Sequence, residues 1–397
     1  MPFISGPDGD LKTAFVSDSW LLDQFVGNTL FVWGGNNTGS LTAGQLGDNT
    51  IVSKSNPIQT VTGGINWKQV VCGDYYTAAI KTDGTLWCWG SNQYSTNGYG
   101  NLGDNSITGK SSPVQTVAFG TNWKQVNCGF AHTASIKTDG TLWCWGLNAQ
   151  GQLGDNTVVK KSSPVQTVAF GTNWKQVACG FLNVLAIKTD GTLWAWGYNN
   201  AGCLGDNTVT NRSSPVQTVA GGTNWKQVSS AGFSNTAAIK NDGTLWTWGS
   251  NGYGQLGDNT IVTKSSPVQT VTFGTNWKQV TCGRHHTIAI KTDGTLWSWG
   301  RNASGQLGDN TIVNKSSPVQ TVAFGTNWKQ VECGYHSTTA IKNDGTLWCW
   351  GLNQYGGLGD NTIANKSSPV QTTAYGTNWK QVSCGQYHAA AVTNGDI

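Results

Sequence analysis

The hexapeptide TNWKQV, or INWKQV in its first copy, occurs seven times in this chain of 397 residues. Successive copies begin 51 to 56 residues apart, and their tryptophans are Trp67, Trp123, Trp174, Trp225, Trp277, Trp328 and Trp379. A fixed period near 50 residues is typical of propellers and solenoids, in which each repeat is one supersecondary unit. Each repeat contains four segments with the pattern of short strands, separated by turn-forming residues, which predicts seven four-stranded units.

The two ends of the chain carry complementary halves of one repeat. The last copy stops at Ile397, just past the position that corresponds to the Asp293-Gly294 turn, and the missing half stands at residues 29–34 as TLFVWG. An open solenoid needs polar caps rather than complementary halves, whereas a closed propeller pairs them and removes exposed sheet edges. We therefore predict an all-β fold, a seven-bladed β-propeller of four-stranded antiparallel blades over residues 28–397. Residues 28–60 and 379–397 share its seventh blade.

Local patterns predict the order of the strands within a blade. From the channel outward they are WKQVxCG, TxAIK, TLWxWG and PVQTV, with an Asp-Gly hairpin turn between the second and third and a proline opening the edge strand. Apolar content is only 37% and mean hydropathy −0.31, but the 21 tryptophans supply large apolar surfaces. Because side chains alternate along a strand, Trp87 and Trp89 should lie on one face. Packing between adjacent blades, rather than stacking on a sugar or base, is the interpretation that we favour.

The segment from Val280 to Gly308, VTCGRHHTIAIKTDGTLWSWGRNASGQLG, resembles the repeat of the regulator of chromosome condensation family. The resemblance covers residues 28–397 and implies a seven-bladed propeller with short loops on both faces. It does not imply one activity, because that fold serves nucleotide exchange on a small GTPase, β-lactamase inhibition, ubiquitin-ligase modules, and bacterial and phage proteins. The near-identity of the copies is more similar to bacterial and bacteriophage members than to the eukaryotic exchange factor.

The two residues after each Cys-Gly, or Ala-Gly in blade four, vary most between repeats. They follow the predicted inner strand, so we expect these pairs, together with the residue that comes directly after each pair, to crown one mouth of the channel. An aromatic set with arginine is typical of a protein-binding hot spot, although drift at exposed loop positions would also produce such variation. The candidate partner-binding residues are Asp74, Tyr75, Phe130, Phe181, Leu182, Phe233, Arg284, His285, Tyr335, His336 and Tyr387.

Two further segments depart from the repeat. The loops at residues 35–45 and 91–101 are five residues longer than their equivalents and belong to neighbouring blades, which predicts one raised, polar, tyrosine-bearing lip. Tolerated surface insertions are the alternative. Residues 1–27 form a separate N-terminal segment, with a capped helix predicted near its end. Phe15, Trp20, Leu22 and Phe25 would make this segment either a strap on the propeller flank or an anchor to a larger assembly.

Metal binding, cofactor binding and catalysis find little support in the residue pattern. The chain has five histidines and shows no Ser-His-Asp or Cys-His spacing; at most, Arg284, His285, His286, Glu332, Tyr335 and His336 could converge across blades five and six. Asp48 and its equivalents give one carboxylate per blade, too few for calcium, which takes about 6–8 oxygens. We expect these aspartates to bond their own turns. We predict no enzyme, cofactor or metal.

Cysteine usage and charge suggest a compartment and exclude some partners. The ten cysteines include no Cys-x-x-Cys motif for zinc, and we interpret them as small buried residues in a protein made in a reducing cytoplasm. No signal peptide or membrane insertion is expected. Residues 28–397 carry a net charge of +7, from 23 basic and 16 acidic residues, but the excess is spread evenly along the sequence. Because DNA binding favours clustered Lys and Arg, we predict no nucleic-acid partner.

Two classes of function remain open. The first is a non-enzymatic structural and binding propeller that contacts other proteins, and within it we favour a bacteriophage virion component in contact with other virion proteins or a host surface molecule. The second is a soluble regulator or inhibitor that grips a GTPase or an enzyme through one face of the propeller. Stable assembly through residues 1–27 would favour the first, and loss of binding on changing Phe181 or Arg284 would favour the second.

Overall fold

The computed structural model describes residues 27–394 apart from 38–43, 63, 95–96, 118–119, 169–170, 220–221, 232–234, 272–273, 323–324, 375 and 377. These residues form seven four-stranded antiparallel sheets in a ring, which confirms the predicted seven-bladed propeller. The candidate residues Phe15, Trp20, Leu22, Phe25 and Phe233 lie outside the described residues. Within the part of the chain that is described, no helix is long and apolar enough to span a membrane.

Each blade consists of an inner, a second, a third and an outer strand, in the predicted order from the channel outward. Blades are numbered from the inner strand that begins at Trp67. The inner strands are Trp67–Cys72, Trp123–Cys128, Trp174–Cys179, Trp225–Ala231, Trp277–Cys282, Trp328–Cys333 and Trp379–Cys384. The second strands are Tyr76–Lys81, His132–Lys137, Asn183–Lys188, Asn235–Lys240, His286–Lys291, Ser337–Lys342 and His388–Thr393. The third strands are Leu86–Gly90, Leu142–Gly146, Leu193–Gly197, Leu245–Gly249, Leu296–Gly300, Leu347–Gly351 and Leu30–Gly34. The outer strands are Lys110–Gln115, Lys161–Gln166, Arg212–Gln217, Lys264–Gln269, Lys315–Gln320, Lys366–Gln371 and Lys54–Gln59.

Blade seven closes the ring with strands from both ends of the chain. Its third strand, Leu30–Gly34, pairs antiparallel with its second strand, His388–Thr393, and places Leu30 opposite Val392. Thr29 and Thr393 extend this pairing through a backbone hydrogen bond of 3.0 Å from the N–H of Thr393 to the carbonyl of Thr29. The two half-repeats therefore make one continuous sheet, as their sequences predicted.

The outer strands begin three residues earlier than the sequence indicated. In blade one the strand starts at Lys110, and Pro113 stands inside it rather than at its start. Gly90 pairs with Lys110 and Cys88 with Val114, so the residues between them form a bulge that keeps the proline out of the ladder. The bulge also exposes the Ser111 carbonyl, which accepts a hydrogen bond of 2.9 Å from the N–H of Asn49 in the preceding blade.

The core lies between the blades. On one face of blade one, Trp67 and Trp89 pack at 6.1 Å between ring centroids and contact blade seven, while the other face presents Ile80 and Cys88 to Trp123 of blade two. Trp87 is only half-buried and packs against the same cluster as Trp89, so both rings lie on one face as predicted. Ring packing between adjacent blades is thus confirmed, and all ten cysteines are free, nine of them buried.

A glutamine from each inner strand joins its blade to the next one. Gln227 donates from Nε2 to the carbonyl of Val280 and accepts from the Val280 N–H through Oε1, both at 3.1 Å. Gln69, Gln125, Gln176, Gln279 and Gln381 make the same pair of hydrogen bonds. We call this arrangement the glutamine clasp. The remaining glutamine, Gln330 in blade six, makes one hydrogen bond of this kind, at 3.5 Å to the carbonyl of Val382.

The strand directions give the ring two different faces. The loops that join inner to second strands and third to outer strands share one side, because Tyr76 pairs with Gly90 and Gly90 with Lys110. We call this side the crown face. The opposite side, the turn face, carries the Asp-Gly turns and the start of every inner strand.

Candidate functional site

The crown comprises the pair of residues after each Cys-Gly, and its described members lie where the sequence placed them, around the channel mouth on the crown face. Backbone hydrogen bonds connect them from blade to blade. The N–H of Phe130 donates to the carbonyl of Phe181 at 3.2 Å, that of Arg284 to Tyr335 at 3.3 Å, and that of Gln386 to Asp74 at 3.4 Å. These bonds fix the crown backbone to the rigid ring.

Three crown side chains, from blades one, five and six, meet at the channel mouth. The hydroxyl of Tyr335, in blade six, donates to Oδ2 of Asp74, in blade one, at 2.5 Å. The Arg284 guanidinium lies over the Tyr335 ring, 5.2 Å from its centroid. Together with Phe181 these side chains line a narrow cavity of about 50 Å³ at the mouth. The crown therefore narrows this end of the channel.

The charge state of Asp74 follows from its burial at this narrow mouth. Burial raises the pKa of Asp74 to about 7, although the Tyr335 hydrogen bond and the charge of Arg284 act in the opposite direction. Asp74 and Tyr335 are both buried, so in this conformation they organise the crown and offer little surface of their own. Their role as partner contacts stays a prediction.

The other aromatic crown residues form a continuous arc on the crown face. Phe130 and Phe181 are 4.6 Å apart between ring centroids, and Tyr75 is 6.5 Å from both Phe130 and Tyr387. Tyr355, from a loop of blade six, extends the arc at 4.9 Å from Tyr387. The rings of this aromatic arc are half-buried or exposed, so their outer surfaces are available for contact.

A second group of crown residues occupies blades five and six. His285 packs on Tyr253 at 4.9 Å between ring centroids, and Arg301 lies 5.3 Å from the Tyr253 centroid. Burial and the neighbouring positive charges of Arg284 and Arg301 lower the pKa values of His285 and His336 to about 4. Neutral histidines beside two arginines make this sector polar and cationic at pH 7.

The residue after each crown pair has a different place from the one expected. We predicted that these residues would also crown the mouth, but Tyr76, His132, Asn183, Asn235, His286 and His388 are buried. They begin the second strands and lie between blades, where Nε2 of His388, for example, is 3.0 Å from Oγ1 of Thr77. Burial lowers the pKa of His286 and of His388 to about 3, so both are neutral structural residues.

The long loop of blade one lies on the crown face beside the aromatic arc. Its short hairpin pairs Gln93–Tyr94 with Asn97–Gly98, and Tyr99 packs 6.4 Å from Phe130 between ring centroids. The matching loop of blade seven includes residues 38–43, which are outside the described residues. The described part of the lip thus adds an aromatic ring to the arc. Leu182, half-buried, follows Phe181 on the same face.

Sequence reasoning missed an exposed aliphatic rim on the crown face. After each LGDN turn the chain places one or two aliphatic side chains at the outer edge, with 51–70% of their surface exposed. They are Ile51, Val52, Ile107, Val158, Val159, Val209, Ile261, Val262, Ile312, Val313 and Ile363. The signal in the sequence was the one or two apolar residues after each LGDNT or LGDNS. It falls between a turn and a strand and so has no periodicity of its own.

The channel itself is polar and has a volume of about 220 Å³. Its one described acidic side chain, Glu332, accepts a hydrogen bond of 3.3 Å from the Thr281 hydroxyl. Burial raises the pKa of Glu332 to about 7, opposed by hydrogen bonds with Thr281 and Gln330.

The described residues give no metal or acid-base centre. No group of three or more potential metal ligands occurs among them. Glu332 bonds Thr281 while Tyr335 bonds Asp74, so the six residues considered for acid-base chemistry do not meet at one point. Asp48 accepts from the N–H and hydroxyl of Thr50, at 3.0 and 2.8 Å, and so bonds its own turn as expected.

Comparison with known proteins agrees with this architecture. The model of the RCC1-like domain matches residues 19–325, and two models of the regulator of chromosome condensation (RCC1) repeat match residues 344–392 and 328–356. The chain belongs to the RCC1 family. The ultraviolet-B receptor UVR8 of Arabidopsis thaliana is 30% identical over 333 residues, which cover 82% of this chain and 74% of the receptor.

Other proteins similar to this chain differ in size. The human E3 ubiquitin-protein ligase HERC2 is 27% identical over 384 residues, which cover 93% of this chain but 8% of the ligase. The solved structure of Prp20p from Saccharomyces cerevisiae, described with its binding properties to Gsp1p and histones, has a TM-score of 0.80 at 18% identity. It covers 96% of this chain and 95% of its own. Human WBSCR16 has a TM-score of 0.79 at 21% identity, over 94% of this chain and all of its own. These two structures share the fold.

Proposed function

We propose that this chain is a non-enzymatic binding propeller that grips a protein partner with its crown face. The distribution of exposed hydrophobic side chains carries this proposal. Among the described large hydrophobic residues that are exposed, thirteen of sixteen lie on crown-face loops. Soluble proteins rarely expose extended apolar surface unless it contacts something.

The arrangement of the crown face suits a protein surface. The aromatic arc stands near the channel mouth, the cationic sector of Arg284 and Arg301 lies beside it, and the aliphatic rim surrounds both. Aromatic residues and arginine near the centre of a contact are typical of interface hot spots. Backbone hydrogen bonds already hold the crown, so little conformational entropy is lost on binding.

The relatives support the same class of function. Prp20p is described as binding Gsp1p and histones, and another structure has Kap60 bound to it. By analogy with this protein, we infer that the partner of the present chain is also a protein.

A finer proposal concerns the setting in which this partner is met. We favour a bacteriophage virion component that residues 1–27 anchor to the particle and whose crown face contacts other virion proteins or a host surface molecule. A soluble regulator or inhibitor of one GTPase or enzyme is the alternative. Both settings place the protein in a reducing cytoplasm when it is made, and neither calls for a cofactor.

Cross-linking from the native source, followed by mass spectrometry, tests both levels of the proposal. Three forms of the chain are compared: the unchanged chain, a crown variant with Phe130→Ser and Tyr355→Ser, and a turn-face control with Val61→Ser and Val219→Ser. The control removes apolar groups that are exposed on the opposite face, since Val61 and Val219 are each 51% exposed. We expect a stoichiometric protein partner, cross-linked to crown-face loops, to be lost from the crown variant and retained by the control.

Two results would contradict the proposal. Cross-links confined to the turn face would show that the partner binds the turn face and not the crown face. Equal loss of the partner from both variants would show that the crown has no special role in binding. The identity of the partner separates the finer alternatives. Capsid or tail proteins lost on deleting residues 1–26 support the virion setting, whereas a single soluble GTPase or enzyme excludes it.

A further inference from the structure

The turn face carries the excess positive charge of the propeller. Thirteen lysines and six aspartates among the described residues lie on this side, an excess of seven positive charges. The six aspartates are those of the Asp-Gly turns: Asp83, Asp139, Asp190, Asp242, Asp293 and Asp344. Along the sequence the same lysines are evenly spread, but the fold gathers them, because it returns every repeat to the same face. The expectation that nucleic acid is not a partner stays a prediction.

Seven of these lysines form one ring around the channel mouth. Each follows the tryptophan at the start of an inner strand: Lys68, Lys124, Lys175, Lys226, Lys278, Lys329 and Lys380. All seven are exposed. We call this set the lysine ring. It is complete, since even blade seven, assembled from the two chain ends, supplies Lys380.

The backbone explains why these lysines point away from the sheet. In blade one, Trp67 pairs with Lys81 and Gln69 with Ile80, so Lys68 has no partner and forms a bulge. The same irregularity follows the first tryptophan of all the inner strands. A bulge residue turns its side chain out of the regular alternation. Each blade therefore presents one lysine at the innermost point of the turn face.

No carboxylate neutralises the centre of this ring in the described structure. The ion pairs that the described residues form all lie on the crown face, as in Arg212 with Asp206 at 2.8 Å. The remaining turn-face lysines lie farther from the axis and stack on tryptophans; Lys81, for example, lies 4.4 Å from the Trp87 centroid. The turn-face aspartate Asp83 bonds the N–H and hydroxyl of Thr85 at 2.9 and 2.7 Å and forms no ion pair with a ring lysine among the described residues.

The size of the ring indicates the size of its ligand. Cα atoms of neighbouring inner strands approach within 8 Å, so seven strands arranged as a regular heptagon have a radius of roughly 9 Å. Lysine side chains can extend across much of that distance. Charges of one sign around a single axis concentrate the potential there, which favours a compact anion with several charges over a long polymer that would contact only part of the ring.

We propose that the lysine ring binds a compact polyanion, of the class of small multiply phosphorylated molecules, over the channel mouth on the turn face. This site is separate from the crown face and does not depend on the function proposed for that face.

Isothermal titration calorimetry of the full chain with inositol hexakisphosphate as the probe tests the proposal. We expect one molecule to bind per chain, with affinity falling steeply between 50 and 300 mM salt because each phosphate contact displaces ions. A ring variant with Lys68→Gln, Lys175→Gln and Lys278→Gln should bind at least 30-fold more weakly. A charge-matched control with Lys110→Gln, Lys161→Gln and Lys264→Gln, on the outer strands, should bind within threefold of the unchanged chain. Equal thermal unfolding midpoints would show that both variants fold.

Several results would overturn the proposal. Binding of many probe molecules per chain, or equal weakening in ring variant and control, would indicate a general charge effect. Equal affinity per phosphate for a single-stranded oligonucleotide would indicate a polymer surface. The chain enters the described structure beside the ring, since Asn28 bridges Asn66, and residues 1–26 carry four aspartates against one lysine. Binding seen only after residues 1–26 are deleted would assign the ring to that segment of the chain itself.

Discussion

The glutamine clasp offers a test of what holds the ring together, because six of the seven glutamines make two hydrogen bonds to the next blade and Gln330 makes one. Replacing Gln227 by alanine removes two hydrogen bonds of 3.1 Å to the backbone of Val280. A neutral hydrogen bond contributes about 0.5–1.5 kcal/mol net, so the pair contributes about 1–3 kcal/mol. The polar channel of about 220 Å³ has room for water, which can replace part of this bonding. We therefore expect Gln227→Ala to lower the free energy of unfolding by about 2 kcal/mol.

The matched variant is Gln330→Ala. Its side chain makes one 3.5 Å bond to Val382, at the outer limit of hydrogen-bond geometry, so we expect a loss of about 0.5 kcal/mol or less. Gln176→Ala, which removes bonds of 3.0 and 3.2 Å, should behave like Gln227→Ala. Equilibrium urea unfolding, with the denaturant dependence held to a common slope, measures all three. Equal losses for Gln227→Ala and Gln330→Ala would refute the reasoning, and so would a loss below about 0.5 kcal/mol for Gln227→Ala.

Three further predictions concern the core, the crown and the channel. Trp196→Phe should lower the free energy of unfolding by about 2 kcal/mol, because the fully buried indole donates to the carbonyl of Gln152 at 3.0 Å. Trp194 is half-buried, and Trp194→Phe should lower the free energy of unfolding by less than about 1 kcal/mol. Equal losses for the two variants in urea unfolding would contradict this prediction. Burial raises the pKa of Asp74 to about 7 in the folded state, so the folded chain holds a proton that the unfolded chain releases near pH 4. The stability contributed by Asp74 is therefore complete below about pH 4 and is lost as pH rises toward 7. Asp74→Asn should leave stability at pH 4 nearly unchanged and raise it at pH 8, where thermal unfolding of both proteins is compared. A variant less stable than the unchanged chain at pH 8 would show that the carboxylate is needed. Glu332, whose pKa burial also raises to about 7, should give the same sign on Glu332→Gln.

Repetition in the sequence was enough to predict most of the fold. Seven copies of WKQV at a constant spacing gave the number of blades, and the complementary halves at residues 28–60 and 379–397 gave the closure. Strand order followed from turn chemistry, since Asp-Gly joins the second and third strands. Only the start of the outer strands was placed wrongly, because a bulge admits Pro113 inside the strand and sequence patterns record no bulges.

The candidate site was predicted only in its location. The variable pairs after Cys-Gly do stand at the channel mouth, but their sequence positions could not show which would meet. Asp74 and Tyr335 are 261 residues apart in the chain and bond each other at the channel mouth, because closing the ring leaves only blade seven between blade six and blade one. The buried positions of His286 and His388 depend in the same way on contacts between blades.

What the sequence determined by itself is whatever one repeat encodes locally: strands, turns, the period, and hence the closed ring of blades. What only the tertiary structure decided is which copies of a repeated residue gather in space. An even scatter of lysines along the chain becomes a ring on one face, and scattered aliphatic pairs become a rim on the other. The physical reason is that rotation about the propeller axis superimposes equivalent positions, so a property that is uniform along the sequence becomes concentrated at one radius and on one face.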